Sequence, residues 1–333
     1  MLPNSLRSNY NVSIAGNTIF TGPLTWLLTS PHNARSQKWY IGRVVAQRRH
    51  LHSTDEPVPE FVVHSLLNSP VVSIRDTECQ GRCRGQSAEE CTNTTQLVFP
   101  YRGVYVRHLG RGQAVAEANQ VLFFNADEGY KISHPVRGGD GCLTLAIHEP
   151  LLRELAPVSF LRDGSTLAFR EQRRRIDARA QVLVSLLRHS LHRNIAEPLE
   201  AESLALTLVR RVLGPTTTHA AAASVGRQRL VDRIKLVLAS DLARRWTLAD
   251  IAAEVRGSHV YLTQVFQQVE GMPLYRYQLR LRLARSLDLL PAFDDLTKLS
   301  LELGFSSHSH FTATFRSAYG RTPTEFKQSA LHR

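Results

Sequence analysis

Gln264 carries an amide that can pair with the N6/N7 edge of adenine, and Val260 and Thr263 offer methyl groups that can meet a thymine methyl. A second set, His308, Ser309 and Thr312, offers imidazole and hydroxyl groups, which bond bases with less selectivity. Both sets have the spacing to share one face of a helix, within the first six residues after a serine. A third group is the thiols Cys79, Cys83 and Cys91. Thiolates could bind a metal together with His108 or His134, or act as redox sensors with Arg82 and Arg84 lowering their pKa. The C-x3-C-x7-C spacing fits zinc poorly, however, and no H-x-H pair accompanies His134 and His148, so unreactive loop thiols and no metal are expected.

The elements that must hold the first two sets repeat. Leu248, Ile251, Ala252 and Val255 form an i, i+3, i+4, i+7 stripe, followed by Ser258, Leu262 and Phe266. Leu296, Leu299, Ser300 and Leu303 form another, followed by Ser307, Phe311 and Phe315. Each is a short amphipathic helix, a tight break, a serine N-cap and a second helix. In a helix-turn-helix the first helix props the second, which enters a major groove. Val260, Thr263 and Gln264, and then His308, Ser309 and Thr312, lie off the apolar stripe on the face that would meet DNA.

The 333 residues carry 43% hydrophobic side chains and a net charge of +12. That is enough chain for two or three domains, with a basic balance that favours a polyanionic partner. From Gln228 onward, 15 Lys and Arg stand against 10 Asp and Glu, a net +5. No apolar run reaches the ~20 residues of a membrane span, no clean signal-peptide cleavage pattern is present, and four cysteines make no disulfide framework. A reduced, cytoplasmic protein without membrane attachment is expected. G-x-S-x-G, Walker A and H-E-x-x-H patterns are absent, so no enzymatic activity and no cofactor are expected.

The chain is read as α+β. Residues 1–60 lack a sustained period and are expected to form a poorly ordered tail. Residues 61–160 show short apolar runs at strand spacing and are expected to form a β-rich, jelly-roll-like domain with an interior cavity. Residues 161–213 read as a helical connector whose apolar stripes are expected to hold two chains together. Residues 214–227 read as a linker, and residues 228–333 as an all-α domain with two helix-turn-helix motifs.

Residues Thr247-Leu248-Ala249-Asp250-Ile251-Ala252, Ser258, Leu262 and Phe266 resemble the first motif of the AraC/XylS family of bacterial transcription regulators. The resemblance continues through Gly271, Tyr277, Arg282-Leu283 and Leu289-Leu290. It is densest over Leu303-Gly304-Phe305-Ser306-Ser307-His308-Ser309-His310-Phe311, Phe315-Arg316, Tyr319-Gly320 and Thr322-Pro323-Thr324-Glu325-Phe326. Looser tokens, Phe99-Pro100, Arg102-Gly103-Val104, Val121-Leu122-Phe123-Phe124-Asn125 and Ser133-His134-Pro135, are similar to the family's cupin-like sensing half.

The resemblance implies a regulator that reads two successive major grooves, with base contacts at Val260, Thr263, Gln264, His308, Ser309 and Thr312. Arg282 is expected either to contact a phosphate, to brace the two motifs, or to pair with Asp250 or Glu254. Double-stranded promoter DNA, a small-molecule effector, RNA polymerase and a second copy of the chain are the expected partners. A constitutive DNA-binding protein with a protein-interaction β domain is the alternative. A DNA-repair or metal-dependent protein is a further one, although the Pro-Cys-His-Arg motif of repair methyl acceptors is absent. One departure stands out: the first turn reads Arg256-Gly257 where the family has Gly followed by an apolar plug, which predicts looser packing there.

Overall fold

The computed structural model describes residues 61–82, 84–164, 166–214 and 224–331. The expected tail at 1–60, Cys83 and most of the 214–227 linker lie outside the described residues. The β region opens with β1 (Phe61–Asn68), β2 (Val72–Cys79), β3 (Gln96–Gly103), β4 (Tyr105–Leu109) and β5 (Gly112–Ala116). It continues with β6 (Gln120–Phe124), β7 (Lys131–Ser133), β8 (Asp140–Ile147) and, after α1 (Glu149–Leu155), β9 (Arg173–Arg175). All pair antiparallel, in a six-stranded sheet ordered β1-β2-β8-β3-β6-β9 and a three-stranded sheet ordered β5-β4-β7.

The central strands β3, β6 and β8 are buried almost end to end. A sheet covered on both faces has no solvent side to alternate with, so its strands read as continuous apolar runs. One face of the six-stranded sheet meets the three-stranded sheet over Val98, Tyr105, Ala116, Leu122, Phe124 and Cys142. Arg107 is fully buried there, donating to the Phe123 carbonyl at 2.6 Å with its guanidinium 4.0 Å over the Phe124 ring. Side chains of both sheets thus meet in one apolar cluster.

The other face of the six-stranded sheet packs on α2 (Ala178–His192) and α3 (Pro198–Leu213). The remaining helices are α4 (Val225–Ser240), α5 (Leu248–Val255), α6 (His259–Glu270), α7 (Leu274–Leu289), α8 (Leu296–Glu302), α9 (His308–Tyr319) and α10 (Pro323–Leu331). Leu236 and Ala239 of α4 cover Val104, Val106 and Val115 on the outside of the three-stranded sheet. The β lobe and the helical lobe therefore belong to one compact unit.

The helix α2 is the shared element. Val184, Leu187 and Leu191 enter the β-lobe core, while Val182 and Leu186 pack on the helical core that holds Leu287, Phe311, Phe315 and Phe326. The Ser185 hydroxyl donates to the Leu287 carbonyl at 3.1 Å, and the Tyr319 hydroxyl donates to Gln181 Oε1 at 3.2 Å. Within 161–213, the α2 part of the stripe is thus covered by the chain itself. The α2 stripe is wide because two cores within one chain use it, and Leu187 has no exposed surface left for a partner.

Candidate nucleic-acid interface

Each helix-turn-helix is built from its capping residues. Thr247 and Asp250 form a reciprocal capping box at the start of α5, and the Ser258 hydroxyl caps α6 by accepting from the Tyr261 N–H. Asp295 caps α8 and Ser307 caps α9 in the same way. The apolar stripes then bury. Leu262, Val265 and Phe266 pack with Ile251, Ala252, Val255 and Tyr277. Phe311 and Phe315 pack with Leu299, Leu303, Phe305 and Phe326.

The two turns differ by one residue. In the second, Gly304 takes a left-handed backbone (φ +80°) and Phe305 plugs the core. In the first, Arg256 takes the left-handed position (φ 53°), an uncommon conformation for a residue with a side chain. A Cβ on Gly257 would lie 2.9 Å from Leu262 Cδ2. The place expected to lack a plug is taken by Leu262, which has no exposed surface, so the predicted loosening does not occur.

Val260, Thr263 and Gln264 stand on the exposed face of α6, with Val260 66% exposed despite being apolar. The Thr263 hydroxyl bonds back to the carbonyls of His259 and Val260, which turns its methyl into its distinguishing group. His308 and Ser309 are exposed on α9, with Thr312 half-buried beside His308 Nε2 at 3.4 Å. The three line a surface depression together with Ala313, Arg316, Ser317 and Thr322. Tyr261, Gln267 and Arg316 are further exposed side chains on these two helices. The i+4 repeat from Thr312 to Arg316, or from Thr263 to Gln267, would have found two of them.

Arg282 does not belong to this surface. It is 7% exposed, and its guanidinium donates to the carbonyls of Leu242 (2.6 Å), Ala243 (3.2 Å), Arg244 (2.9 Å) and Gly304 (2.9 Å). A group whose donors are spent on four carbonyls in the interior cannot reach a phosphate, so the DNA-contact assignment is corrected to a brace between the segment before α5 and the turn after α8. The expected ion pair is not made either, since Asp250 pairs with Arg244 at 3.3 Å. Beside the brace, a Cβ on Gly304 would overlap the Ala243 carbonyl, so the two motifs meet backbone to backbone.

The β lobe reaches the first motif through buried charge. Lys235 of α4 lies 2.7 Å from Glu270 at the end of α6 and 3.9 Å from Glu117, which follows β5. Burial raises the Glu270 carboxyl pKa, but the Lys235 ammonium outweighs it and the net direction is down. At Glu117 burial prevails and the pKa rises. Arg173 of β9 adds a 2.9 Å pair with buried Asp232.

The thiols separate. Cys91 is exposed, while Cys79 lies with His134 and Asp140. His108 is instead engaged with Ser133 Oγ at 2.8 Å. No helix among the described residues is long and apolar enough to cross a membrane.

Residues 251–329 match a family described as a helix-turn-helix domain. The chain is 27% identical over 146 residues to the HTH-type transcriptional regulator GadX of Escherichia coli O6:H1, covering 44% of this chain and 53% of that protein. It is 30% identical over 158 residues to the HTH-type transcriptional activator RhaR of Klebsiella pneumoniae, covering 45% and 54%. The chain thus spans about half the length of the relatives it matches. A solved regulator of Chromobacterium violaceum, described as containing an AraC-type DNA-binding domain, is 30% identical over 32% of this chain and 98% of that one, with a TM-score of 0.30. Over residues 251–329 the chain thus carries a helix-turn-helix domain similar to those of these transcriptional regulators.

Proposed function

We propose that the chain is a cytoplasmic, sequence-specific regulator of transcription that reads two successive major grooves of promoter DNA, one with α6 and one with α9. The observation that carries this reading is the pair of N-capped helices, each with a buried apolar stripe and an exposed polar face, set on one braced frame. Val260, Thr263 and Gln264 serve one groove, and His308, Ser309 and Thr312 the other. An effector acting through the β lobe would alter DNA binding by way of the Lys235 and α2 contacts. A second copy of the chain and RNA polymerase complete the proposed partners, because linking two sites raises avidity.

The apolar cluster and buried Arg107 between the sheets favour one second reading, a constitutive DNA-binding protein whose β lobe contacts other proteins. Selection of bound duplexes from a random pool by the full chain tests the main proposal. Recovery of two conserved blocks about 10 base pairs apart is expected. A pool with no enriched sequence would overturn it.

A further inference from the structure

The end of the β lobe holds a polar group that DNA reading leaves unused. Cys79 ends β2 and Asp140 begins β8, and the two are directly opposed in the antiparallel ladder. His134 enters from the segment after β7. The Cys79 sulfur, a His134 ring nitrogen and an Asp140 carboxylate oxygen all lie within 4.8 Å of one another. His134 is 4% exposed and Asp140 5%. His134 Nε2 meets Asp140 Oδ1 at 2.7 Å, and Nδ1 is buried with no hydrogen-bond partner. The Cys142 thiol, two residues along β8 on the same face, donates to Asp140 Oδ2 at 3.5 Å.

The backbone is shaped around this group. Gly81 and Gly139 both have left-handed backbones (φ +63° and +66°). A Cβ on Gly81 would lie 2.8 Å from Gly139 Cα, and one on Gly139 would overlap the Cys79 carbonyl. The two turns can close over the cluster only because neither residue carries a side chain.

We infer that Cys79, His134 and Asp140 are ligands of a Zn2+-class transition-metal ion held between the sheets. A thiolate, an imidazole and a carboxylate are the donor types zinc takes, whereas Mg2+ and Ca2+ require an all-oxygen set. His134 Nε2 and Asp140 Oδ1 already converge at 2.7 Å, so one ion can take both in place of the hydrogen bond between them. The thiol proton and the proton shared by His134 and Asp140 leave as the ion enters, so uptake releases protons and weakens in acid. Sequence spacing missed the site because its ligands come from β2, a loop and β8, with 54 residues between Cys79 and His134.

The test uses the full chain, stripped with a chelator and then given Zn2+ or Co2+ alone. One equivalent of Zn2+ is expected, with a rise in melting temperature as for any ligand of the folded state. Co2+ is expected to show a thiolate charge-transfer band that persists in Cys91→Ser and is lost in Cys79→Ser. Alkylation of the parent protein, mapped by mass spectrometry, guards against a variant that fails to fold. Zn2+ should slow modification of Cys79 at least about tenfold and leave Cys91 unchanged. Absence of stoichiometric uptake, a band that survives Cys79→Ser, or Cys79 alkylation indifferent to Zn2+ would each overturn the inference.

Discussion

Removing the Arg282 guanidinium would strand four carbonyl oxygens in the interior at once. Each unsatisfied buried group costs about 1–3 kcal/mol, so Arg282→Ala should lower stability by at least about 3 kcal/mol in urea unfolding. Arg282→Lys should recover little, because a point charge cannot serve four acceptors held in a planar fork's geometry. A phosphate contact would behave otherwise, leaving stability intact and reducing only DNA affinity.

His189 makes a second prediction at this scale. Burial, aided by the neighbouring Arg188 charge, lowers its imidazole pKa to about 4, against the pull of the Leu287 carbonyl. The folded value lies below the ~6.5 of the unfolded chain, so the unfolded state binds a proton that the folded state refuses. The stability at stake is complete above about pH 6.5 and is lost as pH falls towards 4, a few kcal/mol at most. His189→Gln should flatten that decline. Equal losses in parent and variant between about pH 7.5 and about pH 5 would assign the acid sensitivity elsewhere.

Among the elements, α2 shows that a stripe can be covered within its own chain. Its period was plain in the sequence, but a stripe records only that something covers it, not whether the cover is the same chain. The same limit separated the two site predictions. The exposure of Val260, Gln264 and His308 was legible because they sit off a stripe on a helix whose cap and core residues are local. Arg282 was not, since the carbonyls that bind it lie 22 to 40 residues away. Strands β3, β6 and β8 were visible as apolar runs, whereas β9, Arg173–Arg175, was not: three arginines become a strand only through pairing with β6. With Leu187 fully buried, Leu187→Ala should cost about 2–5 kcal/mol through lost burial and the cavity left behind. A shift of the urea midpoint without a change in sedimentation is the expected result. Monomerisation of a native-like dimer would restore the interchain role.

At the scale of the whole molecule, charge does two jobs. Lys235 neutralises carboxylates from both lobes, so Lys235→Met should leave Glu117 and Glu270 without the ammonium between them, with only the charges of Arg173 and Arg175 still acting on Glu270, and cost about 3–5 kcal/mol. The full chain should still unfold in a single urea transition, since the lobes share α2 and two cores. The exposed positive charge acts outward. With about 6–10 phosphate contacts, DNA affinity should drop by about 10³–10⁵ between 50 and 200 mM salt. Thr263→Ala with Gln264→Ala should relax selection in one block of the recovered sequence, and His308→Ala with Ser309→Ala in the other, each lost base contact costing about 1–3 kcal/mol.

The brace at Arg282 and the close approach at Gly304 carry a further consequence for the duplex. A frame locked backbone to backbone sets the separation and tilt of α6 and α9 in advance. Where that setting differs from the pitch of straight B-form DNA, the duplex is the partner that must curve. Bending a site of this length costs about 1–6 kcal/mol, less where flexible pyrimidine–purine steps fall between the two blocks. Base pairs that no side chain touches would then influence affinity, and a TA step placed at the centre of the site should bind more tightly than a stiff A-tract of equal length.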